Sequence, residues 1–122
     1  MPTRNDAATH LDSPCPLEAP LAIFARKWKP EILFHLFENK ALRHHELRKK
    51  LRGVSQKVLT EQLRELERDG LVSRSVLQVA PPRVQYAATD LGHSIRPIFA
   101  AIHRWGDDHM DEVKAARISS ES

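Results

Sequence analysis

The run from Ser55 to Gly70 carries the punctuation of one complete helix, and everything on either side of it must be packed to suit. Ser55 is a good N-cap, because its hydroxyl can accept from an open amide of the first turn, and Gly70 tolerates the left-handed backbone that closes the last turn. Between these ends Leu59, Leu63 and Leu66 recur four and three apart and form one apolar stripe. Lys57, Thr60, Glu61, Arg64 and Arg68 take the opposite face. One side therefore requires a core, and the other offers a mostly basic, hydrogen-bonding surface.

A charged outer face on a helix is most often just solvated, so the neighbours decide what this one means. Upstream, Arg43 to Leu51 is a second short amphipathic segment, with Leu47 and Leu51 on its inner side. Arg52-Gly53-Val54 joins the two as a short Gly-containing turn of the helix-turn-helix kind. Downstream, Leu71 to Val79 and Val84 to Ala88 are extended runs around Pro81 and Pro82, which cannot donate to a β-ladder and belong at a hairpin tip or edge. Helix, turn, capped helix and hairpin follow each other in the order of a winged helix-turn-helix, a mainly α (α+β) fold with a two-stranded wing. In that fold the second helix enters the DNA major groove and the hairpin reaches beside it.

Charge agrees with this placement. The net charge is only +3, but from Arg43 to Arg83 there are ten Lys and Arg against five Asp and Glu, and the remainder of the chain has nine against eleven. A basic middle between near-neutral flanks points to a polyanionic partner at the helix-turn-helix and wing.

The 122 residues suit one domain. Residues 1–13 are polar and aperiodic and read as a flexible arm, 14–112 as the folded domain, and 113–122 as a polar, fraying tail. Pro14 and Pro16 hold Cys15 in an extended approach to a short helix over 17–25, in which Leu21 and Phe24 can pack inward. Lys27 to Pro30 marks a break, and the helix from Pro30 to about Asn39 buries Ile32, Leu33, Leu36 and Phe37. Trp28 reads as a core or interface anchor.

Thr89 is an N-cap for a last helix from Asp90 to about Met110, which Pro97 should bend unless it falls in an early turn. Leu91, Ile95, Ile98, Ile102 and Trp105 recur at spacings of four and three, and Phe99 broadens the stripe. That is more apolar surface than one small domain covers, so this helix is expected to be the main dimer contact. The bland alternative is that it folds back on its own core.

Several function classes find no support. No run approaches the roughly 20 apolar residues of a membrane span, and a basic, apolar leader is absent, so the default compartment is the cytoplasm. The single cysteine excludes an internal disulfide. His44 and His45 point about 100° apart on a helix and lack partners at ligand spacing, so no metal is expected. Without a nucleophile elbow, phosphate loop or cofactor motif, no enzyme and no cofactor are expected.

A family likeness rests on an ordered series of pieces: Cys15-Pro16-Leu17, Lys27-Trp28 with Ile32-Leu33, Leu42-Arg43 with Glu46-Leu47, and Ser55-x-Lys57-x-Leu59-Thr60. It continues through Leu63 to Glu67, Asp69 to Val72, Pro81 to Val84 with Tyr86, Thr89-x-Leu91-Gly92 and Trp105. Together these resemble the HxlR family of bacterial winged-helix transcriptional regulators. The resemblance implies a homodimer built from N- and C-terminal helices, which adds Leu21 and Phe24 to the interface, and a roughly palindromic DNA operator with half-sites about 34 Å apart.

It also places Ser55, Gln56, Lys57, Thr60 and Arg64 near DNA, with Arg43 and Arg83 clamping the backbone on either side. Some members of the family sense electrophiles or oxidants through a cysteine near the N-terminus, so Cys15 is either such a sensor or a packed structural thiol. Two residues depart from the family pattern: His44 stands where Phe is common, and Arg26 where Gly is common. Two other readings compete: a winged helix serving as a protein interaction module, and a regulator responding to a small molecule at the dimer interface.

Overall fold

The computed structural model describes residues 14–121. The elements in order are α1 (Glu18–Ile23), α2 (Lys29–Glu38), β1 (Leu42–Arg43), α3 (His44–Lys50), α4 (Gln56–Arg68), β2 (Val72–Gln78), β3 (Arg83–Ala88), α5 (Asp90–Ser94) and α6 (Arg96–Glu121). The arm expected over 1–13 lies outside the described residues.

The helix expected from Ser55 to Gly70 is α4, closed as its sequence requires. The Ser55 hydroxyl accepts from Val58 N at 3.0 Å. Gly70, at φ +81°, closes the other end, where Leu71 N donates to Leu66 O at 2.9 Å. Gly53, at φ +89°, supplies the other left-handed position, in the turn between α3 and α4. α3 is started by Glu46, whose carboxylate accepts from the backbone amide of Arg43 at 2.8 Å.

Ile32, Leu33 and Leu36 from α2, Leu47 from α3 with Leu51 just after it, and Leu59, Leu63 and Leu66 from α4 are almost fully buried and form one cluster. Leu71, Val72 and Tyr86 close it from the sheet side. Gln62 is buried with them, so the inner face of α4 is wider than its leucines alone indicate.

The two strands expected for the wing are present, and the sheet gains a third. It has three, in the order β1-β3-β2, all antiparallel, with Leu42 opposite Tyr86 and Arg43 opposite Gln85. A two-residue strand has no periodicity to read, and the sequence places Arg43 in the amphipathic segment that runs to Leu51. Pairing with β3 satisfies the strand's backbone and buries Leu42. β2 and β3 form the wing, with an irregularity between Val76 and Gln78. Pro81 and Pro82 sit at its tip, between the strands, as expected.

The last helix differs in two ways. It is broken at Ile95 into α5 and α6, so Pro97 becomes the second residue of α6, where its missing amide hydrogen costs little. It also runs on to Glu121 rather than fraying after Glu112. Val113 to Arg117 contains three good helix formers and a Lys but no glycine or proline, so nothing in the sequence stops the helix there.

The 26 residues of α6 span about 39 Å. Only its first turns touch the domain: Phe99 packs edge-on to Phe24 at 5.3 Å between ring centres and lies beside Phe37 at 6.1 Å. The Arg96 guanidinium donates to Phe37 O at 3.2 Å. Nearly every residue from Ala100 onward is exposed.

Candidate nucleic-acid interface

α4 is held by its inner face and by one ion pair. The Lys29 ammonium reaches Glu65 Oε1 at 2.6 Å, with the two side chains 5% and 29% exposed. Burial alone would raise the Glu65 pKa, but the hydrogen bond and charge of Lys29, with the charges of Arg26 and Arg68, outweigh it and hold the carboxyl below its ordinary value. This pair fastens the middle of α4 to the start of α2. The sequence reading missed both partners, taking Lys29 as part of a break between helices.

On the outer face Gln56, Lys57 and Arg64 are exposed. Among the described residues, the side chains of Lys57 and Arg64 engage in no hydrogen bond or ion pair. Ser55 is exposed as well, although its hydroxyl is already used as the cap.

Thr60 lies half-buried between Lys57 and Arg64 and is more committed. Its hydroxyl donates to Gln56 O at 2.8 Å and stands 3.0 Å from His44 Nε2. Burial, followed by the positive charges of Arg48 and His45, lowers the His44 pKa and favours the neutral ring. The sequence marks His44 as a departure from the family pattern and, with His45, as lacking the partners of a metal ligand, but its contact with Thr60 across sixteen residues has no local signal.

Around α4, Arg43 is half-buried at the start of α3, and Arg48, Lys49 and Lys50 are exposed along it. Arg83 is exposed at the first position of β3, opposite Gln78. Gln56, Lys57, Thr60 and Arg64 thus lie along α4 with Ser55 at its cap, Arg43 precedes the His44 that touches Thr60, and Arg83 stands apart on the wing.

The apolar stripe of the last helix divides. Ile95 and Phe99 pack on the chain's own core, with Phe24 against Phe99. Leu91, Ile98, Ile102 and Trp105 are more than half exposed, as is Leu21 on α1. Cys15 is exposed just before α1, its carbonyl accepting from Glu18 N at 3.2 Å.

Among the described residues no cluster of His, Cys, Asp and Glu could hold a metal, and no helix is long and apolar enough to cross a membrane. A capped helix presenting basic and polar groups beside a β-hairpin wing is the architecture of a winged helix-turn-helix transcriptional regulator. The chain belongs to the HxlR family: the HxlR-like helix-turn-helix description matches residues 23–114.

It is 42% identical over 106 residues to YdeP, an HTH-type transcriptional regulator of Bacillus subtilis (strain 168), covering 84% of this chain and 82% of YdeP. Among solved structures, the redox regulator HypR in its reduced form superposes with a TM-score of 0.77 at 35% identity, covering 82% of this chain and 98% of HypR. The HTH-type transcriptional regulator ytcD gives a TM-score of 0.74 at 38% identity, over 79% and 97% of the two chains.

Proposed function

We propose that this regulator is a homodimer that binds a specific double-stranded DNA operator, with α4 in the major groove. The observation that carries this reading is the outer face of α4, where Lys57 and Arg64 extend uncommitted on either side of Thr60 above a rigidly held helix. Lysine and arginine supply phosphate neutralisation, and an arginine in the groove can pair with guanine. Arg43 at the start of α3 and Arg83 on the wing hold the backbone on either side.

The exposed Leu91, Ile98, Ile102 and Trp105 supply the surface for a second copy, which sets two recognition helices on one side of the duplex. Binding of the purified protein to a randomised duplex pool at two salt concentrations, with sedimentation to give its mass, tests both parts. A single palindromic sequence should be recovered, with affinity falling steeply as salt rises. Arg64→Ala and Lys57→Ala should each weaken specific binding by about 1 to 3 kcal/mol while leaving the sedimenting species unchanged. Binding without any sequence preference would favour the protein interaction module instead.

Exposure of Cys15 favours a second reading, that oxidants or electrophiles control this binding. The likeness to HypR, a redox regulator, supports it. With one cysteine per chain, an oxidised Cys15 can form a disulfide only with a thiol from outside that chain, the other protomer's Cys15 included. Diamide should release DNA from the native protein and not from Cys15→Ser. Equal behaviour of the two would make Cys15 irrelevant to control.

A further inference from the structure

We propose that Thr60 selects an exocyclic amino group in the major groove, N4 of cytosine or N6 of adenine, and that His44 sets this choice by fixing the Thr60 hydroxyl as an acceptor. The inference deepens the operator-binding reading above and rests on it. It follows from counting hydrogens. A threonine hydroxyl has one hydrogen to give and two lone pairs to offer. The hydrogen goes to Gln56 O, 2.8 Å away, a carbonyl that cannot donate in return. The contact of 3.0 Å between Thr60 Oγ1 and His44 Nε2 then needs its hydrogen on the ring, so Nε2 donates and Nδ1 is the bare nitrogen of the neutral form. One lone pair remains for an outside partner.

Thr60 stands one turn from Arg64 and close to Lys57 on the outer face, so a base edge brought in by α4 meets an oxygen that can only accept. In the major groove guanine presents O6 and N7 and thymine presents O4, all acceptors, which would face that lone pair with their own. Cytosine N4 and adenine N6 present hydrogens.

His44 is a positioning residue in this scheme. The Thr60–Gln56 bond alone does not lock the hydroxyl, because the Gln56 carbonyl also serves the helix ladder and the hydroxyl can rotate away at small cost. A donor pressed against Oγ1 from the start of α3 removes that freedom. Protonation of His44 leaves hydrogen on Nε2, so the arrangement holds in both charge states of the ring. With the phenylalanine common in the family at this position, the hydroxyl would rotate and donate or accept as the base required.

The test uses the full chain and the selected-site experiment, run in parallel on the native protein, Thr60→Val, Thr60→Ser and His44→Phe. The native site should contain a position in each half-site restricted to adenine or cytosine. Thr60→Val should lose about tenfold of the discrimination at that position alone, and Thr60→Ser should keep it. His44→Phe should retain the rest of the site and admit guanine or thymine there.

Purine in place of that adenine, or 2-pyrimidinone in place of that cytosine, removes only the amino group. It should weaken the native protein about tenfold and leave Thr60→Val unaffected. Enrichment of one site by both the native protein and Thr60→Val with identical preferences at every position would overturn the assignment. So would a lost preference for guanine or thymine. An absence of any enriched sequence with the native protein would instead remove the operator-binding reading, and this assignment with it.

Discussion

Gly92→Ala is expected to lower folding stability by about 3 kcal/mol, at the upper end for one added methyl group. The backbone at Gly92 is not left-handed, so the cause is space rather than conformation. A Cβ there would overlap the backbone carbonyl oxygen of Leu71, with Ala88 Cβ pressing from 3.5 Å.

That carbonyl has nowhere to go. Leu71 O accepts from Thr89 N at 3.1 Å, and Leu71 N donates to Leu66 O at 2.9 Å. Thr89 then ties the approach from the other side, its hydroxyl donating to Gly70 O at 2.6 Å and accepting from Gly92 N at 3.0 Å. The methyl must either break this knot or lift α5 from the end of α4. Urea unfolding should show a lower midpoint at an unchanged slope, with a melting temperature lower by about 10 °C. A change within about 0.5 kcal/mol would mean that α5 can pivot without loss.

Glu65→Ala is expected to cost about 3 kcal/mol at neutral pH, although alanine is the better helix former. The loss comes from the partner left behind, since the Lys29 side chain is only 5% exposed and its nitrogen would be left buried without the carboxylate it bonds to. Lys29→Met should cost less, because Glu65 can turn its partly exposed carboxylate to water. Joining Lys29→Met to a Glu65→Leu change should recover most of the stability.

The pH dependence follows from the lowered pKa of Glu65. A carboxyl whose pKa is lower in the folded chain contributes fully above its unfolded value of about 4.3 and loses the contribution as pH falls through the folded value. The gap between native protein and Glu65→Ala in urea should thus be full at neutral pH and narrow as the solution is made progressively more acidic than the unfolded value. A gap independent of pH would assign the effect to packing instead.

The features legible in the sequence were those whose physics is local. Ser55, Gly70 and Thr89 act as caps because a hydroxyl or a missing Cβ works within one turn, and the leucines of α4 announce their stripe by spacing alone. What escaped was set by tertiary contact. Lys29 finds Glu65 only once α2 crosses α4, and β1 exists only because β3 passes beside Leu42.

The apolar stripe of the last helix was visible, but its division was not. Phe24 and Phe37 claim Phe99 and leave Ile98 and Ile102 outward, which depends on how α6 leaves the domain. At the candidate site, the basic residues of α4 could be placed from helical geometry. The hydrogen-bond roles of Thr60 could not, since His44 comes from another helix.

The outer part of α6 has a bearing on dosage. Some twenty residues beyond Phe99 wind into helix with almost no support from their own chain, whereas helices in proteins draw most of their stability from packing. In the proposed homodimer, each arm would complete its folding on the other, so the species competent for the operator forms as the square of chain concentration when dimers are scarce. A cell that halves its supply of this protein would then lose about three-quarters of the active form, which makes its control of transcription steeper than proportional without any effector.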